Sequence, residues 1–271
     1  MANIALVTGA SSGMGARMAA LLPEKVRGLD ELWITARREE RLIRLKELIG
    51  RRCPRLSVRI IQADLSEKEG MECLSALLKE QAPGILFLVN AAGYGKIGSV
   101  SELPLPAQTG MVRLNCEALL AVTRLCLPYM KKGEGRVINF ASAAAFLPQP
   151  RFAVYAATKA FVLSFSRALS EELAGEGISV TAVCPGPVRT EFFGIAEELH
   201  AVPLYKKLAM ADADRVVRLA LRDSMRRRQM SVYGASMRLF ACVTKLLPVS
   251  FFFFFIRLIN GRRPENRRAG E

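Results

Sequence analysis

The sequence predicts an α/β chain built on a doubly wound parallel β-sheet, and three observations carry that reading. Short apolar runs recur along the chain, each followed by a segment of helical periodicity. The first run feeds a glycine-rich turn that opens a helix. The chemically distinctive residues fall at the carboxyl ends of the runs, where sheets of this kind gather their ligands. A chain of 271 residues with 51% hydrophobic content can bury one such core. No linker or repeat divides it. Residues 1–235 are placed in a single domain, and residues 236–271 form a hydrophobic, basic C-terminal extension.

Asn3–Thr8 is an apolar run suited to a buried parallel strand. It continues into Gly9-Ala10-Ser11-Ser12-Gly13-Met14-Gly15 and then a helix through Leu22. Glycines at this junction let backbone N–H groups approach phosphates, and the helix N-terminus adds favourable partial charge. The spacing is G-x-x-x-G-x-G, and a plain structural turn is the competing reading. The second strand, Leu32–Ala36, ends in Arg37-Arg38. A carboxylate there would accept hydrogen bonds from a ribose 2′-hydroxyl; Asp30 and Glu31 stand at the opposite end. Two guanidiniums instead offer forked donors to a 2′-phosphate, which favours NADP(H) over NAD(H). The alternative is that Arg37 and Arg38 merely begin a solvated helix beside Glu39 and Glu40.

Further strands are expected at Ser57–Gln62, Ile85–Asn90, Arg136–Ala141, Ile178–Cys184 and Met230–Tyr233. Helices are expected at Glu39–Ile49, Lys68–Lys79, Gln108–Met130 and Phe152–Ala174. The alternation predicts a sheet covered on both faces. In the Phe152–Ala174 segment, Tyr155 and Lys159 lie at i and i+4 and share a helical face. A cation one turn from a phenol favours the phenolate and brings it towards proton exchange at neutral pH. The only histidine, His200, leaves no histidine triad or His-rich metal site, so acid–base chemistry falls to another residue type.

Taken in order, these residues resemble the short-chain dehydrogenase/reductase family, with a Rossmann-like fold, over residues 3 to about 235. The resemblance implies that Gly9, Ser11, Ser12, Gly13, Met14 and Gly15 hold the cofactor, with Met14 where isoleucine is commoner. It implies that Asp64, with Leu65 beside it, contacts the adenine, and that Asn90, Ala91 and Gly93 belong to the family's N-A-A-G segment. Pro185, Gly186, Val188 and Thr190 would contact the nicotinamide half. Asn115, Ser142, Tyr155 and Lys159 match the catalytic tetrad. Ser142 would hold a substrate oxygen, Tyr155 would exchange its proton, Lys159 would lower the tyrosine pKa and bind the nicotinamide ribose, and Asn115 would anchor a proton-relaying water. The implied activity interconverts a ketone and a secondary alcohol. A protein that senses the cofactor without turnover is the alternative, though it would have no need of the intact Ser142, Tyr155 and Lys159.

Substrate walls are expected from Phe146 and Leu147, and from Phe192 and Phe193 in the segment 191–210, where the family has its lid. Their apolar character points to a steroid-like or acyl-chain substrate. The same residues could equally pack on the protein body, leaving a small polar or sugar substrate. The cysteines form no C-x-x-C pair and read as buried free thiols in a reducing cytoplasm. Nothing predicts a signal peptide. The net charge of +14 is scattered, without a nucleic-acid motif. After Pro248 come five phenylalanines, Phe251–Phe255, and then Arg262, Arg263, Arg267 and Arg268. This tract is shorter than the ~20 apolar residues of a spanning helix. Residues 248–268 therefore suit either the surface of an anionic bilayer or packing on the protein itself or a partner subunit with solvated arginines beyond, and a homodimer or homotetramer is expected.

Overall fold

The computed structural model describes residues 1–192 and 210–260, with backbone alone for 255–260. Strands β1 (Asn3–Thr8), β2 (Glu31–Ala36), β3 (Ser57–Gln62), β4 (Gly84–Asn90), β5 (Arg136–Phe140), β6 (Ser179–Val183) and β7 (Met230–Ser231) form one sheet. All pair in parallel, in the order β3-β2-β1-β4-β5-β6-β7. The order reverses direction between β1 and β4, which opens a crevice at the carboxyl edge there. Every residue of β4 is buried, as a strand covered on both faces requires.

Helices α1 (Gly13–Lys25) and α2 (Glu39–Arg52) cover one face, and α3 (Lys68–Gln81), α5 (Ala118–Cys126) and α6 (Ala153–Glu172) cover the other. The two buried layers account for the apolar strand runs: Ala5, Val7, Ile34 and Val89 face the first, while Ile4, Leu6, Trp33 and Leu88 face the second. Trp33 is fully buried, its indole N–H donates to Glu31 at 2.7 Å, and the Arg59 guanidinium lies 5.5 Å from its ring. Glu31, at the start of β2, thus serves the sheet.

The segment expected as one helix over Gln108–Met130 is interrupted. Helix α4 (Leu105–Val112) passes into a π-helical turn, Arg113–Glu117, before α5, and a 3₁₀ turn at Leu127–Tyr129 closes it. Such turns cluster at functional positions, and this one contains Asn115. Beyond α6 come α7 (Ala213–Met225), α8 (Ala235–Leu246) and α9 (Val249–Asn260). Asp212 caps α7 by accepting from the Arg215 N–H at 3.1 Å. No disulfide forms among the described residues. Cys126 and Cys184 are buried, but Cys73 and Cys242 are exposed, because they occupy the outer faces of α3 and α8. The expectation of buried thiols is corrected for those two. No described helix is long and apolar enough to cross a membrane.

Candidate active site

At the carboxyl edge of the sheet lies a cavity of about 1280 Å³ that runs from the glycine turn to α8. Its first wall is the loop between β1 and α1. Gly9 (φ +65°) and Gly13 (φ +55°) adopt the left-handed region that glycine tolerates. A Cβ on Gly9 would lie 2.6 Å from the Ala92 nitrogen, so only glycine lets the two loops meet. Thr8 Oγ1 secures that meeting by accepting from the N–H groups of Ala91 and Ala92 at 3.1 and 3.2 Å. Ser11, Ser12, Gly13, Met14 and Gly15 line the cavity, and the N-terminus of α1 faces it without a side-chain cap. This is a ready seat for a pyrophosphate.

Arg37, Arg38, Asp64 and Leu65 line the next wall. Arg38 donates from Nη2 to Ser12 Oγ at 2.9 Å and to Ser11 Oγ at 3.1 Å, and from Nη1 to Glu191 at 3.3 Å. Arg37 lies 3.5 Å from Asp64 Oδ2, while Asp64 Oδ1 accepts from the Ser66 hydroxyl at 2.6 Å. Burial tends to raise the Asp64 pKa, but the Ser66 and Arg37 contacts prevail and hold it below the usual value. Pro185, Gly186, Val188 and Thr190 close this half from the loop after β6, and Ala91 and Gly93 from the loop after β4.

Asn90 departs from its expected place. Its side chain turns into the sheet, donating to Thr123 Oγ1 at 3.0 Å and Asn139 Oδ1 at 2.9 Å. Asn139 continues the chain to Ser166 Oγ at 2.9 Å. These donor bonds tie β4 to α5 and β5 and, through Asn139, to α6, while Oδ1 stays without a partner among the described residues. Asn90 is therefore a support beneath the cavity and not part of its lining.

Tyr155 and Lys159 project from α6 into the centre of the cavity. The Tyr155 ring stacks on Phe152, with centroids 4.3 Å apart, and meets Phe192 at 5.3 Å. Burial pushes the phenol up to about 12, against a lowering hydrogen bond with the Ser142 side chain. The expected lowering by Lys159 does not appear: burial is the larger cause and the Ser142 contact the lowering one. Desolvation also brings Lys159 down to about 8. Its Nζ donates to the Phe140 carbonyl at 2.8 Å and lies 5.8 Å from the tyrosine ring centroid. Ser142 caps a short 3₁₀ turn, Ala143–Phe146, where its Oγ accepts from the Ala144 N–H at 3.1 Å.

Asn115 is fully buried under this group. Its Nδ2 donates to the Tyr94 carbonyl at 2.9 Å and to Thr158 Oγ1 at 3.0 Å, and its Oδ1 accepts from the Tyr94 N–H at 3.0 Å. Both amide protons are thus engaged. The side chain braces Tyr94 and α6. Gly93 passes so close that a Cβ there would lie 2.7 Å from Asn115 Oδ1.

Leu147 and Phe192 line the substrate end. Phe146 does not: its ring faces Phe240 of α8, with centroids 6.3 Å apart, and belongs to the buried cluster behind the cavity. Phe193 and most of the segment 191–210 lie outside the described residues. Sequence reasoning missed Tyr94, Phe152, Met237 and Phe240, all of which line the cavity. For Met237 and Phe240 the signal was the helical periodicity of Met237–Leu247 within the extension assigned to residues 236–271. That extension begins as part of the site.

A family model for short chain dehydrogenase matches residues 3–198. The chain is 29% identical over 205 residues to an uncharacterized oxidoreductase of Staphylococcus epidermidis, covering 73% of this chain and 86% of that one. Among solved structures, it resembles a short-chain dehydrogenase from Sphingobium yanoikuyae in complex with NADPH (TM-score 0.77, 28% identity, 99% of each chain). It also resembles the bulky-bulky ketone specific alcohol dehydrogenase from Comamonas testosteroni (TM-score 0.71, 26% identity, 100% of this chain and 97% of that one). With that match spanning most of its length and the same architecture in these relatives, the chain belongs to the short-chain dehydrogenase family.

Proposed function

We propose that this protein is an NADP(H)-dependent oxidoreductase that interconverts a bulky hydrophobic ketone and its secondary alcohol. One observation carries the reading. A buried tyrosine, hydrogen-bonded to Ser142 with Lys159 one turn on, shares a cavity with a glycine turn and a serine-held arginine. The glycine turn suits a pyrophosphate, and Arg38 with Ser11 suits a 2′-phosphate; a bound nicotinamide supplies the hydride.

The protein's own groups handle the oxygen and the proton. Ser142 donates a hydrogen bond to the substrate oxygen. Tyr155, held protonated at neutral pH by its burial, gives that oxygen its proton in ketone reduction. Lys159, near 8, replaces the proton, and Asn115 positions Tyr94 and α6 around it. Leu147, Pro148, Phe152, Phe192, Met237 and Phe240 give the substrate end an apolar wall, in keeping with the bulky ketones named for the Comamonas testosteroni relative.

Oxidation of NADPH should be followed by absorbance across bulky ketones, acyl ketones and sugars. Turnover should favour the bulky apolar ketones, and Tyr155→Phe should lower it by at least ~100-fold while cofactor binding persists. Wild-type rates in that variant would overturn the mechanism, and preference for sugars would overturn the substrate class. Two associations belong to the same reading. Exposed apolar side chains on α8 and α9, among them Leu246 (82% exposed) and Phe254 (62%), point to peripheral contact with an anionic bilayer. Leu120 on α5 and Phe161 on α6 point to contact between copies of the chain.

A further inference from the structure

Glu191 lies just past the Pro185–Thr190 loop, and its carboxylate is directed at the arginines after β2. Its Oε2 accepts from Arg38 Nη1 at 3.3 Å, and Arg41 Nη1 reaches Oε1 and Oε2 at 2.5 and 2.7 Å. The Arg38 guanidinium also donates to Ser11 and Ser12, so four hydrogen bonds to protein partners already surround it. An incoming phosphate that takes the Nη1 hydrogen now donated to Glu191 must replace that carboxylate. The next residue, Phe192, is turned the other way, with its ring 5.3 Å from that of Tyr155. The phosphate-seeking arginines and the reactive tyrosine are therefore covered by two consecutive residues.

We propose that Glu191 is an internal stand-in for the coenzyme's 2′-phosphate, and that its displacement by that phosphate lifts Phe192 from Tyr155. This rests on the reading of Arg38 as part of the 2′-phosphate site. Three consequences follow from the geometry. The carboxylate competes with NADPH but not with NADH, which brings no second anion to Arg38. The tyrosine stays covered until the phosphorylated coenzyme has arrived, so coenzyme binding precedes substrate binding. Arg41, one helical turn beyond Arg38 on α2, holds the displaced carboxylate or joins the phosphate, and becomes a third cation of the site.

The test measures dissociation constants for NADPH, NADH and 2′,5′-ADP, which carries the phosphate without the nicotinamide, in wild type, Glu191→Gln and Arg38→Ala. Glu191→Gln should tighten NADPH and 2′,5′-ADP by roughly two- to fivefold, the scale of one partly exposed ion pair, and leave NADH unchanged. In the wild type alone, 2′,5′-ADP should speed hydrogen exchange at the Phe192 amide, which donates to Thr190 Oγ1. Equal tightening of NADPH and NADH would mean general repulsion of dinucleotides and would overturn the proposal. So would unchanged or weaker NADPH binding in Glu191→Gln, or an unaltered Phe192 amide. Arg38→Ala separates the two levels. If it weakens NADPH selectively, a failure belongs to Glu191 alone; if it does not, the phosphate site itself is misplaced and the proposal falls with it.

Discussion

Lys159 is an ammonium held largely out of water at the cavity wall, and its chemistry follows from that. Its pKa falls from 10.5 to about 8 through desolvation. Between those values the unfolded chain binds a proton that the folded chain does not, so stability from this residue rises with pH across that window. Below about 8 the folded state carries the buried charge and its cost in full. Lys159→Met removes the charge, so it should raise the thermal midpoint relative to wild type at pH 7.5. That advantage should shrink by pH 9.5. A pH-independent gap between the two melting curves would show that the burial cost is not carried by Lys159. At the same scale, exchanging both Arg37 and Arg38 for neutral residues should weaken NADPH far more than NADH in a titration of intrinsic fluorescence. Equal weakening would remove them from the phosphate site. Tyr155 and Lys159 were legible because their i, i+4 spacing on one helix is itself the chemical arrangement, the glycine turn because it joins a strand to a helix, and Ser142 through the family resemblance. Asn90 and Phe146 were not: both stand at the correct place in the chain but point the other way, and only packing decides which side of a loop a side chain takes.

At the scale of elements, strand positions were legible where a strand is buried on both faces and must be mostly apolar, as in β1 and β4; β3 at the sheet edge, with Ser57 and Gln62 exposed, and the two-residue β7 carry a weaker signal. The interruption of Gln108–Met130 was hidden, since a π turn keeps helical composition and alters only the phase of the buried face. The glycine turn offers a direct test. A Cβ on Gly15 would lie 2.9 Å from the Gly9 carbonyl carbon, so Gly15→Ala should spread the turn and weaken dinucleotide binding at least about tenfold, the loss of one charge-assisted contact. Calorimetric titration measures this, and unchanged affinity would show that the turn adapts. The C-terminal pair of helices divides its work. α8 supplies Met237 and Phe240 to the cavity, whereas α9 exposes Phe251 and Phe254. Deletion from Pro248 onward should therefore abolish sedimentation with anionic vesicles while leaving turnover of a soluble ketone largely intact. Loss of turnover together with a changed molecular mass would instead assign α9 to a contact between copies.

For the whole molecule, association is the property to measure. Leu120 (44% exposed) and Phe161 (40%) project from α5 and α6, the helices that also support Asn115 and Tyr155. Light scattering should report a dimer or tetramer, and Leu120→Glu with Phe161→Glu should shift it towards the monomer. An unchanged mass would place the contact elsewhere. The lone tryptophan gives the chain a built-in optical gauge. Trp33 sits in β2, next to the strand that leads into the glycine turn, sealed beneath the sheet with its N–H on Glu31. Its emission should be blue-shifted and indifferent to iodide until the sheet opens, so quenching by iodide marks unfolding of the parallel core. Reduced nicotinamide absorbs where indole emits. Coenzyme entering the cavity should therefore dim that single emitter by energy transfer, reporting occupancy without any label.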